Sequence, residues 1–163
     1  MKLTTTLLAL LPAASLTLAA PSNPAHLFAR QSTGSSTLSY DPRYDIGGTS
    51  LNQVACSTGD YGLITEGFST FDSLPSFARI GGAPTIPGNG SPNCGTCYRI
   101  EYTPAGGATN SIVITAIDAA PGGFNVATEA MNQLTGGRAE ELGRVDVTWT
   151  QVSRTDCGLP ARP

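Results

Sequence analysis

Histidine and lysine are almost missing from this chain. The single histidine among its 163 residues is His26, and the single lysine is Lys2. From residue 27 onward the sequence therefore has no imidazole for a Ser-His-Asp or Cys-His mechanism or for metal ligation. It also has no amine for a Schiff base or a phosphate-binding loop. Charged residues make up 13% and aromatics 7% of the chain, so carboxylates, hydroxyls, amides and arginines are left for any chemistry. Long apolar runs are absent too, and nothing after the N-terminus approaches the length a membrane span needs.

The longest apolar stretch lies at the start. Met1–Ala20 has the form of a secretory leader: Lys2 gives the charged beginning, Leu7–Leu11 opens the apolar part, and Ala19-Ala20 suits cleavage before Pro21. Pro12 and several Ser and Thr interrupt it. Residues 21–37, rich in Ser, Thr, Pro and Gly, read as a pro-segment or flexible tail, with Arg30 as a processing mark. Residues 38–163, roughly 125 in all, suffice for one domain with a modest core. Without Lys2, eight arginines stand against twelve acids, a balance near −4. The arginines are scattered rather than striped, which argues against nucleic acid as a partner and for a neutral ligand. Neither a membrane partner nor a cofactor is called for.

The four cysteines are Cys56, Cys94, Cys97 and Cys157. In a small secreted domain they favour two disulfides. Cys94-Gly-Thr-Cys97 has CxxC spacing, but Gly-rich sequence precedes it and a strand follows, unlike a redox motif that opens a helix. Zinc would want a second close pair, which is missing. Spacing alone leaves three connectivities open.

Strands are expected at Leu38–Asp41, at Tyr61–Thr65, over the alternating Cys97–Tyr102, over the apolar Ser111–Ile117, and over Arg144–Val152. In the last of these, Trp149 falls on the apolar side, pointing to the core or, alternatively, to an exposed sugar-stacking position. Short helices are expected over Asp72–Arg79 and Val126–Leu134. Gly81–Pro92 reads as a long loop carrying the sequon Asn89-Gly-Ser91, compromised by Pro92. The sum is mainly β with short helices, a small barrel with helices outside it. Within it, Ser111–Val126 stands out, because it ends an apolar strand in one carboxylate, Asp118, beside the turn Ala119–Gly123. That is either a site or a plain connection.

Several stretches together resemble the cerato-platanin family of small secreted fungal proteins. They are Leu38-Ser-Tyr-Asp-Pro42, Ala55-Cys-Ser-Thr-Gly-Asp60 with Gly62-Leu63, Asn93-Cys-Gly-Thr-Cys97, Ile117-Asp118 with Gly122-Gly-Phe-Asn-Val126, and Gly143-Arg-Val-Asp146 with Gln151-Val152. The resemblance spans about Leu38–Leu159. It implies a six-stranded double-psi β-barrel and the disulfides Cys56–Cys94 and Cys97–Cys157. It also implies a protein of the fungal wall and medium that binds chitin fragments and N-acetylglucosamine oligomers. Further implications are non-hydrolytic loosening of cellulose, elicitation or phytotoxicity through a plant receptor, and self-assembly at interfaces.

Matching positions place Asp118 on the acid tied to expansin-like activity, and Tyr40, Asp41, Gly123 and Asn125 on a sugar groove. Ala119-Ala120-Pro121 is less polar than the family's usual segment, and Ala127-Thr128 is a weaker helix start than its usual Asn/Ser-Pro. No catalytic residue is implied. The alternative is a glycosidase, which needs a second carboxylate about 5–5.5 Å from Asp118 for retention or about 6.5–9.5 Å for inversion. Asp41, Asp60 and Glu101 are its candidates.

Overall fold

A computed structural model describes residues 31–162. The leader, most of the 21–37 segment, His26 and Arg30 lie outside the described residues. Six strands form one closed barrel: β1 (Thr33–Tyr40), β2 (Ile80–Ala83), β3 (Cys97–Tyr102), β4 (Asn110–Ala119), β5 (Phe124–Val126) and β6 (Arg144–Val152). Their order around the barrel is β1-β5-β2-β4-β3-β6. The β1–β5 and β2–β4 pairs are parallel and the other four antiparallel. Closure leaves no free sheet edge, which a chain of short strands needs if it is not to pair with its neighbours.

The alternating pattern sets which side chains enter. Leu38, Ile80, Ile100, Ile114, Phe124 and Val126 are fully buried inside. At one end, Tyr98 and Phe124 pack edge-on with ring centroids 5.4 Å apart, and Trp149 meets Tyr98 at 5.4 Å. Trp149 packs against the core but is only partly buried, so the core expectation holds with part of the side chain left exposed.

Helix α1 (Thr128–Thr135) buries Ala130, Met131 and Leu134 and ends on Gly136 in the left-handed region, φ 70°; α2 (Ala139–Leu142) follows. The mainly β barrel with short helices is thus as expected, and so are the pairs Cys56–Cys94 and Cys97–Cys157. They close separations of 38 and 60 residues, each worth about 4 kcal/mol on the chain-entropy model.

Several element boundaries differ. Strand β1 starts at Thr33 rather than Leu38, because residues 33–37 pair with β6 from Thr150 to Asp146. Tyr61–Thr65 is a set of turns, and Asp72–Arg79 holds only part of a 3₁₀ turn, Phe71–Ser73. The expected loop from Gly81 contains β2. Glycine was the misleading signal: at Gly81 a Cβ would overlap the backbone of Asn125, so the close approach of β5 forbids a side chain. Val126 closes β5, and the helix begins two residues later at Thr128.

Candidate functional site

Barrel register lines up one row of residues across five strands. Arg144 on β6 lies opposite Ser39 on β1, Ser39 opposite Asn125 on β5, Asn125 opposite Gly82 on β2, and Gly82 opposite Asp118 on β4. Ser39 donates to Asn125 Oδ1 at 3.1 Å. Gly82 has no side chain to fill the row, and β2 shifts register beside it. A groove of about 450 Å³ forms along this end of the barrel, lined among others by Ser39, Tyr40, Arg43, Tyr44, Gly123, Asn125 and Arg144. Gly123 has φ 121°, and a Cβ there would strike Thr37 Oγ1; glycine is required to bring the β4–β5 turn against β1.

Asp118 does not line this groove. It lies beneath it, 9% exposed, with both oxygens occupied. Oδ1 accepts from the backbone N–H of Ala55 and of Ala119, each at 2.9 Å. Oδ2 accepts from Tyr44 Oη at 3.0 Å and from the guanidinium of Arg43. Tyr44 Oη in turn accepts from Arg43 Nη2 at 2.7 Å. Burial pushes the Tyr44 phenol up to about 12, with the Asp118 charge adding to the effect and Arg43 opposing it.

The short segment Asp41–Asp45 organises the floor. Asp41 accepts from Arg43 N at 3.0 Å and so caps the 3₁₀ turn Pro42–Asp45. Its carboxylate also pairs with Arg43 Nε at 3.4 Å, which places Arg43 between Asp41 and Asp118. Tyr44 packs on Phe71 at 5.9 Å. Asp45 then accepts from the N–H groups of Thr128 at 3.0 Å and Glu129 at 3.1 Å. The weak Ala127-Thr128 helix start is thus compensated by a carboxylate delivered from a distant turn.

Of the five site positions carried over by the resemblance, Tyr40, Gly123 and Asn125 come together on the wall of this groove. Asp41 is turned to its own turn and to Arg43, and Asp118 is underneath. Sequence reasoning missed Arg43, Tyr44 and Arg144. Arg43 and Tyr44 directly follow the quoted Leu38–Pro42 stretch, and Arg144 lies within the quoted Gly143–Asp146 stretch. Neither the scattered arginines nor Tyr44 carries a local pattern that marks a site.

Chemically, the groove is rich in donors. Tyr40 Oη and Asn125 Nδ2 make no hydrogen bond among the described residues. Burial of the acid leaves no carboxylate among the lining residues.

The cerato-platanin family model matches residues 36–159. The allergen Asp f 15 of Aspergillus fumigatus is 59% identical over 121 residues, covering 74% of this chain and 76% of that protein. The crystal structure of cerato-platanin 2 from M. perniciosa superposes with a TM-score of 0.73 at 49% identity, over 77% of this chain and all of that one. The solution structure of the fungal elicitor cerato-platanin gives 0.64 at 43% identity, over 74% and 95% of the two chains. With the family model matched over most of the length, relatives at 43–59% identity and the barrel shared, the chain belongs to the cerato-platanin family.

Proposed function

We propose that this chain is a secreted, non-catalytic carbohydrate-binding protein of the fungal wall and medium. Its groove takes chitin fragments and N-acetylglucosamine oligomers. The observation that carries the reading is the convergence of Tyr40, Gly123 and Asn125 on one open groove. An acetamido sugar offers carbonyl and hydroxyl acceptors to Asn125 and Tyr40 and a ring face to the phenol. By competing for hydroxyl hydrogen bonds, such a groove loosens packed chains, cellulose included, without cutting them. Elicitation of plant defence through a receptor follows by kinship with the relative described as a fungal elicitor.

A non-hydrolytic role is supported by the state of Asp118. A glycosidase needs one carboxyl to attack or activate water and another to protonate the leaving oxygen. Here four donors already fill both Asp118 oxygens, and Arg43 stands between it and Asp41.

Titration with N-acetylglucosamine oligomers, followed by amide NMR shifts, tests the reading. Shifts should cluster at Tyr40, Gly123 and Asn125, and Tyr40→Ala should weaken binding about tenfold, or about 1.4 kcal/mol. Saturating oligomer without shifts there would sink the groove. Release of new reducing ends would overturn the non-catalytic assignment.

A further inference from the structure

We propose that the groove selects its sugar by charge: it favours chains bearing carboxylates, such as uronate oligomers, and disfavours chains bearing free amines. The proposal rests on the sugar-groove reading above and adds a ligand class to it. Arg43 and Arg144 are the charged side chains among the lining residues, and no acid joins them there. Arg43 spends Nη2 on Tyr44 and Asp118 and turns Nε to Asp41. Its Nη1 has no hydrogen-bond partner among the described residues, and the side chain is 50% exposed. Arg144 uses Nη1 to donate to Thr37 Oγ1 at 2.7 Å and Gly122 O at 3.3 Å. It makes no ion pair among the described residues, which leaves Nε and Nη2 to a ligand.

Asp41 and Asp118 balance the two guanidinium charges in number but not in position. Asp118 is buried below the wall with its oxygens filled, and Asp41 is bound to its own turn. A ligand in the groove therefore meets N–H donors first. A guanidinium fork matches a carboxylate in two parallel hydrogen bonds, whereas an ammonium on the sugar would face the unpaired charge of Arg144. The chain's net charge of −3 opposes an anion only at long range, and charges farther than about 8 Å are largely screened at physiological ionic strength. Arg144, which has no acidic partner among the described residues, decides the preference, and Arg43, paired with Asp41 and Asp118, adds a donor to it.

The test is calorimetric titration of the whole secreted chain with three tetramers of matched length: N-acetylglucosamine, galacturonate and glucosamine. The expected order is uronate, then acetamido, then amine, with uronate at least about tenfold tighter than amine and weakening as salt is added. Arg144→Gln, at an exposed position, should bring that ratio towards one, and Arg144→Lys should restore part of it; circular dichroism checks that both fold. Equal affinities for all three tetramers, unchanged in Arg144→Gln, would overturn the charge selectivity and leave the sugar groove standing. Uronate binding that depends on Arg144, with no acetamido binding, would uphold the anion preference and overturn the neutral-sugar reading. If no tetramer binds, both are overturned.

Discussion

Two carboxylate–arginine clusters in this barrel look alike on paper and differ in what they leave free. At the groove, Asp118 holds one guanidinium whose side chain is half exposed. Elsewhere in the molecule, Glu66 holds two, Arg154 and Arg162, with side chains only 13% and 23% exposed. Arg154 Nη1 donates to Glu66 at 3.0 Å and Arg162 Nε at 2.7 Å. Arg162 also donates to Cys94 O at 2.8 Å and Tyr61 O at 3.0 Å, tying the C-terminal segment to the CxxC loop. Nearly every donor there is used inside the protein. Arg154 Nε is the exception, buried without a partner among the described residues. A charge cluster is thus an anchor when nearly all its donors are spent inside the protein, and can serve binding when some still face an open groove.

The sharpest break of that contrast is Glu66→Ala, which strands two arginines. It should cost about 3 kcal/mol in denaturant unfolding, near the low end for removing one partner of a buried pair because some solvent remains. A loss below about 1 kcal/mol would mean the anchor is an ordinary surface network. Asp118→Asn should cost less, about 2 kcal/mol: the new amide hydrogens oppose donors already in place, yet Arg43 keeps Asp41 and solvent. Loss of sugar binding in this variant with stability intact would contradict the supporting role assigned to Asp118.

The clusters should also fail at opposite ends of the pH scale. Burial alone would raise the Glu66 carboxyl, but hydrogen bonds from Arg154 and Arg162 outweigh it and hold it below its usual 4.5. Its stabilisation is full above 4.5 and lost as pH falls through the lowered folded value. The stability gap between the wild type and Glu66→Gln should therefore be constant near neutrality and close in acid. Tyr44 behaves in the reverse sense. With its phenol raised from 10 to about 12, the folded state loses its advantage as pH climbs through that window. Tyr44→Phe should remove this alkaline component, measured by unfolding at a series of pH values. The smallest stability effect belongs to Asn125→Ala, within about 0.5 kcal/mol on unfolding, while oligosaccharide binding falls several-fold.

Legibility varied by element. Strands with clean alternation, Cys97–Tyr102 and Arg144–Val152, were fully readable because one face is buried and the other is not. β2 was hidden, since Ile80-Gly-Gly-Ala83 has neither alternation nor β-branched content beyond its first residue; only contact with Asn125 explains Gly81, and only contact with Ala120 explains Gly82. Asp118 could be singled out as the lone acid ending an apolar strand. Its burial could not, because the groups that cover it come from Arg43, Tyr44 and Ala55, all more than sixty positions earlier. Asp45 as the cap of α1 was beyond reach for the same reason.

What the sequence determined by itself was chemical inventory and local form: no imidazole or amine from residue 27 onward, cysteines fit for bridging, apolar alternation for a small barrel, and motifs enough to point to a family. These depend on composition and on contacts between near neighbours. Only the tertiary structure decided which arginine meets which acid, and hence that Asp118 supports the groove from below while Tyr40, Asn125, Arg43 and Arg144 face it. That assignment depends on strand order and register, which bring distant residues within hydrogen-bond range, and no local pattern encodes them.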